Sequence, residues 1–273
     1  MAIDIRDEAA RYYDLNPEPL DDIPFYRAKI PSRDSSVLEL GCGTGRVLVP
    51  LTENCGYIYG VDVSEAMVSI CRQKLAKAGI SAAKAQVQVG DITNLNLGKR
   101  FDLITAPYRV FQNLETDGEV DGLFETIRRH LSHDGTCILN VFKPNRDSVS
   151  LRRDWVNESE YAAWETYVDG DRITCHAKNV RMDSNRMILY PELIYRRDHG
   201  DDLSDEAVLE IAMRCYYPAE FEELIVKHGF EIIDRWGGYS GERYGEGPEL
   251  VIQFKERSSQ RGGGEPQKVG VTT

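Results

Sequence analysis

Val37-Leu38-Glu39-Leu40-Gly41-Cys42-Gly43-Thr44-Gly45-Arg46 reads as an apolar strand running into a glycine-rich turn and then a helix. Glycines at such a turn adopt positive φ and let a ligand lie directly against the chain. The dinucleotide fingerprint GxGxxG is not met, because Arg46 stands where its third glycine belongs, so a nicotinamide oxidoreductase is disfavoured. A phosphate-binding loop is excluded, since no Gly-Lys-Ser or Gly-Lys-Thr follows.

Outward from this turn, short apolar runs at 37–40, 57–61, 85–89, 101–104 and 137–142 alternate with helical patterns. That alternation is the signature of repeated strand–helix units and a parallel sheet. The clearest helix starts after Ser64 as N-cap, repeats Ala66, Met67, Ile70, Cys71 and Leu75 at helical spacing, and stops at Gly79. Another covers roughly 119–131, with His130 and His133 expected at its C-terminus for dipole reasons. Glu39 lies beside the glycine turn, Asp62 ends the second strand and Asp91 follows the third. In an open parallel sheet these positions converge on the crevice outside the carboxyl edge. A pyrophosphate is a poor guest for three acids; a nucleoside bearing cationic and hydroxyl groups, such as S-adenosylmethionine, suits them.

The chain has 273 residues, enough for one large domain or one domain with an insertion. With 33 Lys and Arg against 45 Asp and Glu, its formal charge of −12 disfavours a nucleic-acid partner, whose phosphates require clustered cations. No apolar run is long enough to span a membrane, and the first residues, MAIDIRDEAARYYD, carry acids where a signal peptide has its apolar stretch. A cytoplasmic location without membrane contact is expected. Cys42, Cys55, Cys71, Cys137, Cys175 and Cys215 are scattered, which suggests neither a zinc site nor a disulfide framework, so no metal is expected.

The segments VLELGCGTG (37–45), YGVDVSEAM (59–67), QVGDI (88–92), FDLITAPYRVFQNL (101–114) and LFETIRRHLSHDGTCILNVF (123–142) together resemble the class I S-adenosylmethionine-dependent methyltransferases. Within them the chain is similar to bacterial small-molecule methyltransferases, including sugar-amine and glycine-type N-methyltransferases. The resemblance implies S-adenosyl-L-methionine as cofactor and S-adenosyl-L-homocysteine as product. It places Gly41, Gly43 and Gly45 along the methionyl and ribose portion, with Glu39 helping to place the ammonium. Asp62, adjoining Val63, would accept both ribose hydroxyls, since a carboxylate takes two donors at once. Asp91 and the Ile92 backbone would read the adenine amino group, and Met67 would pack near the ring. Tyr12 and Tyr13 resemble a segment that folds over the cofactor, and Arg27 would meet its carboxylate. Each acid also has a plainer reading as a helix cap.

The expected fold is α/β: a doubly wound, mostly parallel, Rossmann-like seven-stranded sheet, with a small antiparallel platform inserted after strand five. Its parts are a helical lid (1–34), the cofactor-binding core (35–150), the insert (151–217), a C-terminal helix and strand hairpin (218–257) and a mobile tail (258–273). Turn chemistry at Asp169-Gly170-Asp171 and Asp183-Ser184-Asn185 marks the insert, whose Pro191 requires an edge or bulged strand. Its aromatic residues suit a substrate-binding face or a homodimer contact equally.

Methyl transfer from a sulfonium mainly requires a nucleophile held in line. Tyr108, Arg109 and Gln112 follow the fourth strand at the substrate-facing position, and His176 and Glu192 lie in the insert, where each strand residue has two faces to choose from. Ala106 stands where adenine and glutamine methylators carry a polar residue, so that class is disfavoured. The expected function is methylation of a nitrogen or oxygen of a small-molecule acceptor. A protein or RNA methyltransferase and a non-catalytic S-adenosylmethionine-binding protein are the competing readings.

Overall fold

The computed structural model describes residues 5–200 and 202–257; the tail expected to be mobile lies outside the described residues. Two helices, α1 (Ile5–Tyr13) and α2 (Ile23–Lys29), precede a core in which β1 (Ser36–Leu40), β2 (Tyr57–Asp62), β3 (Ala85–Val89), β4 (Phe101–Ala106) and β5 (Leu131–Phe142) run parallel. Between them lie α3 (Leu48–Leu51), α4 (Glu65–Lys77) and α5 (Asp117–His130). After β5 come α6 (Ser148–Asp154) and the platform strands β6 (Asn157–Val168), β7 (Asp171–Asp183), β8 (Ile188–His199), β9 (Asp202–Glu210) and β10 (Met213–Arg214). Then α7 (Pro218–Lys227), β11 (Phe230–Trp236) and β12 (Glu249–Glu256) return to the core.

The main sheet has seven strands in the order β11-β12-β5-β4-β1-β2-β3, with β12 antiparallel to both β5 and β11. Its central strands are buried on both faces, so they read as continuous apolar runs. Leu38, Ile104, Leu139 and Ile252 face α5 and α7, while Val37, Leu103, Ile138 and Val251 face α2 and α3. Each such side chain contributes about 1.5–3 kcal/mol on burial. Local signals agree with this packing. The Ser64 hydroxyl accepts from the Met67 amide, and Thr116 and Glu119 form a reciprocal capping box on α5.

His130 ends α5 as expected, but not as a cation facing the dipole, and His133 lies inside β5 rather than at the helix end. The His130 ring is fully buried, its Nδ1 lies 2.7 Å from the Thr126 carbonyl, and its Nε2 accepts from the Leu97 amide at 2.9 Å. An accepting Nε2 requires the neutral ring, and burial lowers its pKa accordingly. His130 anchors the loop entering β4.

The platform is a separate antiparallel sheet in which β8 is central, pairing with β7, β9 and β10. Pro191 lies instead on an interior strand that is not itself bulged, which corrects the expectation: the irregularity beside it belongs to its partner, where Val180 of β7 is the extra residue between Asn179 and Arg181. One platform face packs Ile173, Cys175, Tyr195, Ala207 and Leu209 against Ala9 and Tyr12 of α1.

Candidate functional site

The loop Gly41–Gly45 closes over the carboxyl end of β2. The amides of Gly41 and Cys42 both donate to the Val61 carbonyl, at 2.7 and 3.0 Å. The three glycines have φ of 69°, 50° and 79°, but they serve different ends. A Cβ on Gly41 would lie 2.4 Å from Val110 and one on Gly45 2.5 Å from the Cys71 sulfur, whereas one on Gly43 meets nothing within 4 Å. Gly41 and Gly45 permit packing; Gly43 presents bare backbone to open space.

Asp62 faces that space from the end of β2. Its Oδ2 accepts from the Gly43 amide (2.8 Å) and its Oδ1 from the Ser64 amide (3.0 Å), which fixes the carboxylate beside the loop. The Gly90 amide donates to the Asp62 carbonyl, bringing the end of β3 alongside. There Asp91 is exposed and accepts from the amide and hydroxyl of Thr93 (2.8 and 2.7 Å), while Ile92 is half-buried. Val63 is exposed and Met67 buried at the start of α4. These five residues gather on one edge of the sheet.

Glu39 shares a face of the sheet with Thr105, its register partner on β4. Its side chain is 2% exposed, and Oε2 has no hydrogen-bond partner among the described residues. Burial, chiefly, pushes this carboxyl well above the usual range, against the opposing pull of Arg46 and the Leu48 amide. A buried, unmatched carboxyl oxygen beside a bare glycine backbone suits a ligand's ammonium group.

The N-terminal segment crosses over this loop. Asp14, just after α1, accepts from the Thr44 hydroxyl (2.8 Å) and pairs with Lys74 of α4 (2.6 Å). Asp22, fully buried, receives both terminal nitrogens of Arg46 at 2.5 and 2.8 Å. The Arg46 guanidinium also lies 5.1 Å from the centre of the Tyr108 ring, which meets Tyr13 edge-on at 6.0 Å. Tyr13 thus belongs to the crevice, its phenol raised above the ordinary value mainly by burial. Tyr12 instead stacks on Tyr195 of the platform at 5.3 Å. Arg27 is exposed on α2, so Arg46 is the guanidinium nearest the loop. Sequence reasoning passed over Asp14, Asp22 and Arg46. The available signal was Arg46 directly after the glycine turn.

Tyr108 and Arg109 are consecutive non-glycine residues with φ of 57° and 68°, a conformation that costs on the order of 1–3 kcal/mol each. Tyr108 is 38% exposed, at the mouth of the crevice. Arg109 forks onto Glu249 of β12 through Nε (3.1 Å) and Nη2, so its charge is already matched. Gln112 is fully buried: its carbonyl takes the Phe142 amide (2.7 Å) and its amide donates to the Arg214 carbonyl (2.8 Å). It joins core to platform and has no face on the crevice.

His176 pairs across the platform with Ile194, on the face opposite Cys175 and Tyr195. That face carries the Arg196–Glu160 pair (2.8 Å) and the Lys178–Glu192 pair (2.8 Å), so His176 and Glu192 point away from α1. The platform phenol nearest the crevice tyrosines is Tyr195, buried beneath Tyr12, its pKa raised by burial with Tyr108 and Tyr13 nearby. Among the described residues no group of His, Cys, Asp and Glu side chains is arranged to hold a metal, and no helix is long and apolar enough to cross a membrane. All six cysteines are unpaired and buried. An open cleft of about 390 Å3 between α4 and β3 lies toward the opposite end of the sheet and holds none of these groups.

A seven-stranded sheet with its last strand, β12, reversed, a glycine loop after β1 and an acid ending β2 define a class I methyltransferase architecture. Residues 37–135 match the family described as a methyltransferase domain. A putative methyltransferase of Geobacillus sp. (strain WCH70) is 30% identical over 223 residues, covering 79% of this chain and 82% of that protein. The chain belongs to the class I S-adenosylmethionine-dependent methyltransferase family. The dTDP-3-amino-3,6-dideoxy-alpha-D-glucopyranose N,N-dimethyltransferase of Streptomyces fradiae is 28% identical over 105 residues, 38% of each chain, so this match spans well under half of that enzyme. Among solved structures, an S-adenosylmethionine-dependent methyltransferase from Clostridium acetobutylicum ATCC 824 superposes with a TM-score of 0.74 at 19% identity, covering 93% of this chain and all of that one.

Proposed function

We propose that the chain transfers a methyl group to the nitrogen of a small-molecule amine. The observation that carries the reading is the pairing of Gly43 with Asp62 beside open space, with the unmatched Glu39 carboxyl at the same loop. Asp62 is suited to a ribose diol, Glu39 to an ammonium, and Met67 with Ile92 to the flank of an adenine beside Asp91. S-adenosylmethionine supplies, when bound, an electrophilic methyl on a sulfonium.

The chain's own work is then to orient the acceptor and keep water out. Tyr13 and Tyr108 stand at the mouth where an acceptor enters, with Tyr195 buried nearby. Tyr13 and Tyr195 hold their protons at neutral pH, and the Arg46 and Arg109 guanidiniums are already matched by carboxylates. Neither of these two phenols and neither guanidinium takes a proton near pH 7. A hydroxyl acceptor needs such a base, whereas a neutral amine does not. The sugar-amine activity named for the Streptomyces fradiae relative supports the same acceptor class.

Calorimetry tests the cofactor: S-adenosylhomocysteine binds and NADH does not, and the reverse result removes the proposal. A screen with methyl-labelled S-adenosylmethionine then tests the acceptor. Label on amines supports the reading; label on hydroxyls alone, or in a protein or RNA fraction, replaces it.

A further inference from the structure

The strained Tyr108–Arg109 turn is held by a closed set of hydrogen bonds from two neighbouring strands, β5 and β12. The Arg109 amide donates to Asn140 Oδ1 at 3.1 Å, Asn140 Nδ2 donates to Glu249 Oε2 at 3.1 Å, and Glu249 Oε1 takes the Arg109 Nε at 3.1 Å. Asn140 is fully buried on β5 and Glu249 is 2% exposed on β12. Side chains disfavour this backbone conformation, so two such residues in succession persist only where their surroundings over-determine them. Here the surroundings are a planar carboxylate facing a planar guanidinium, with an amide that uses its acceptor on the turn's backbone and its donor on the carboxylate. The turn's other residue, Tyr108, has its ring in contact with both Tyr13 and the Arg46 guanidinium.

We propose that Asn140 and Glu249 are positioning residues: they clamp Arg109 in its left-handed conformation and thereby fix the Tyr108 ring at the acceptor mouth of the crevice. Neither need touch cofactor or acceptor. The catalytic consequence rests on the function proposed above; the clamp itself does not.

The test places 3-fluorotyrosine at position 108 and reads its fluorine resonance with S-adenosylhomocysteine present. The parent gives one line. Glu249→Gln keeps the size and removes the charge, and Asn140→Asp sets a carboxylate against Glu249. Each displaces or splits the line, while Glu246→Gln on the surface leaves it unmoved. If Glu249→Gln does not fold, Arg109→Lys, which keeps the charge and loses the fork, is read instead. An unmoved line in the folded clamp variants overturns the proposal. With a labelled acceptor in hand, Glu249→Gln lowers kcat by about tenfold to a hundredfold, the cost of ångström-scale misplacement, with S-adenosylhomocysteine affinity within about twofold. Equal losses in both quantities would show a merely structural role. A chain that methylates nothing leaves the fluorine result standing and removes only the function.

Discussion

Asp22 and Arg46 form a buried pair: the carboxylate has no exposed surface, and it takes both terminal nitrogens of the guanidinium at 2.5 and 2.8 Å. This contact fastens the segment before α2 to the residue immediately after the glycine loop. Removing one partner from such a pair strands the other charge in a low-dielectric site. Asp22→Asn is expected to lower unfolding free energy by about 3 kcal/mol, read from urea denaturation. A loss under about 1 kcal/mol, the range of an exposed pair, would show the pair to be solvated.

Asp62→Asn should act on binding. The amide cannot match two backbone donors at Gly43 and Ser64 and also serve a diol, because one of its two heavy atoms donates. The expected loss of S-adenosylhomocysteine affinity is about 1.5–3 kcal/mol, typical of hydrogen bonds to a charged group. An unchanged dissociation constant by calorimetry removes Asp62 from the ligand.

The glycines separate binding from packing. Gly45→Ala drives a methyl into the Cys71 sulfur at 2.5 Å, and should cost about 2–4 kcal/mol of stability from overpacking and positive φ together. Gly43→Ala meets no neighbour, so it carries the conformational cost alone, about 1–2 kcal/mol. Yet its methyl fills the open space beside Asp62. Thermal melts with calorimetry should show Gly45→Ala chiefly unstable and Gly43→Ala chiefly unable to bind; the opposite pattern contradicts the assigned site.

The sheet was legible because its central strands are covered on both faces and therefore appear as short, mostly apolar runs, and because Ser64 and Gly79 bracket the helix between two of them. The loop and Asp62 were legible for the same reason: they lie where strand gives way to helix. Arg46 with Asp22, 24 positions apart, and Arg109 with Glu249, 140 apart, were not. Each pair joins elements whose adjacency is fixed only by the completed packing. His176 illustrates another limit. Strand alternation assigns it and Cys175 to opposite faces, but which face meets α1 depends on Tyr12 stacking on Tyr195.

Glu39 gives the last prediction. Burial holds its folded-state pKa well above the unfolded value, so the carboxyl's contribution to stability is present below about pH 4.3, the ordinary value for glutamic acid, and is lost as pH rises through the folded pKa. Relative to Glu39→Gln, which stays neutral, the parent should lose unfolding free energy as pH rises through that window; a flat difference or a gain would mean that the free protein already holds the carboxylate charged. The ligand reverses the balance, because an ammonium beside Oε2 favours the anion. Binding of S-adenosylhomocysteine below the folded pKa should then release a proton from Glu39. Its apparent enthalpy should differ between phosphate and Tris in proportion to their ionisation enthalpies, and that buffer dependence should shrink in Glu39→Gln. Equal dependence in both proteins would place the ammonium elsewhere.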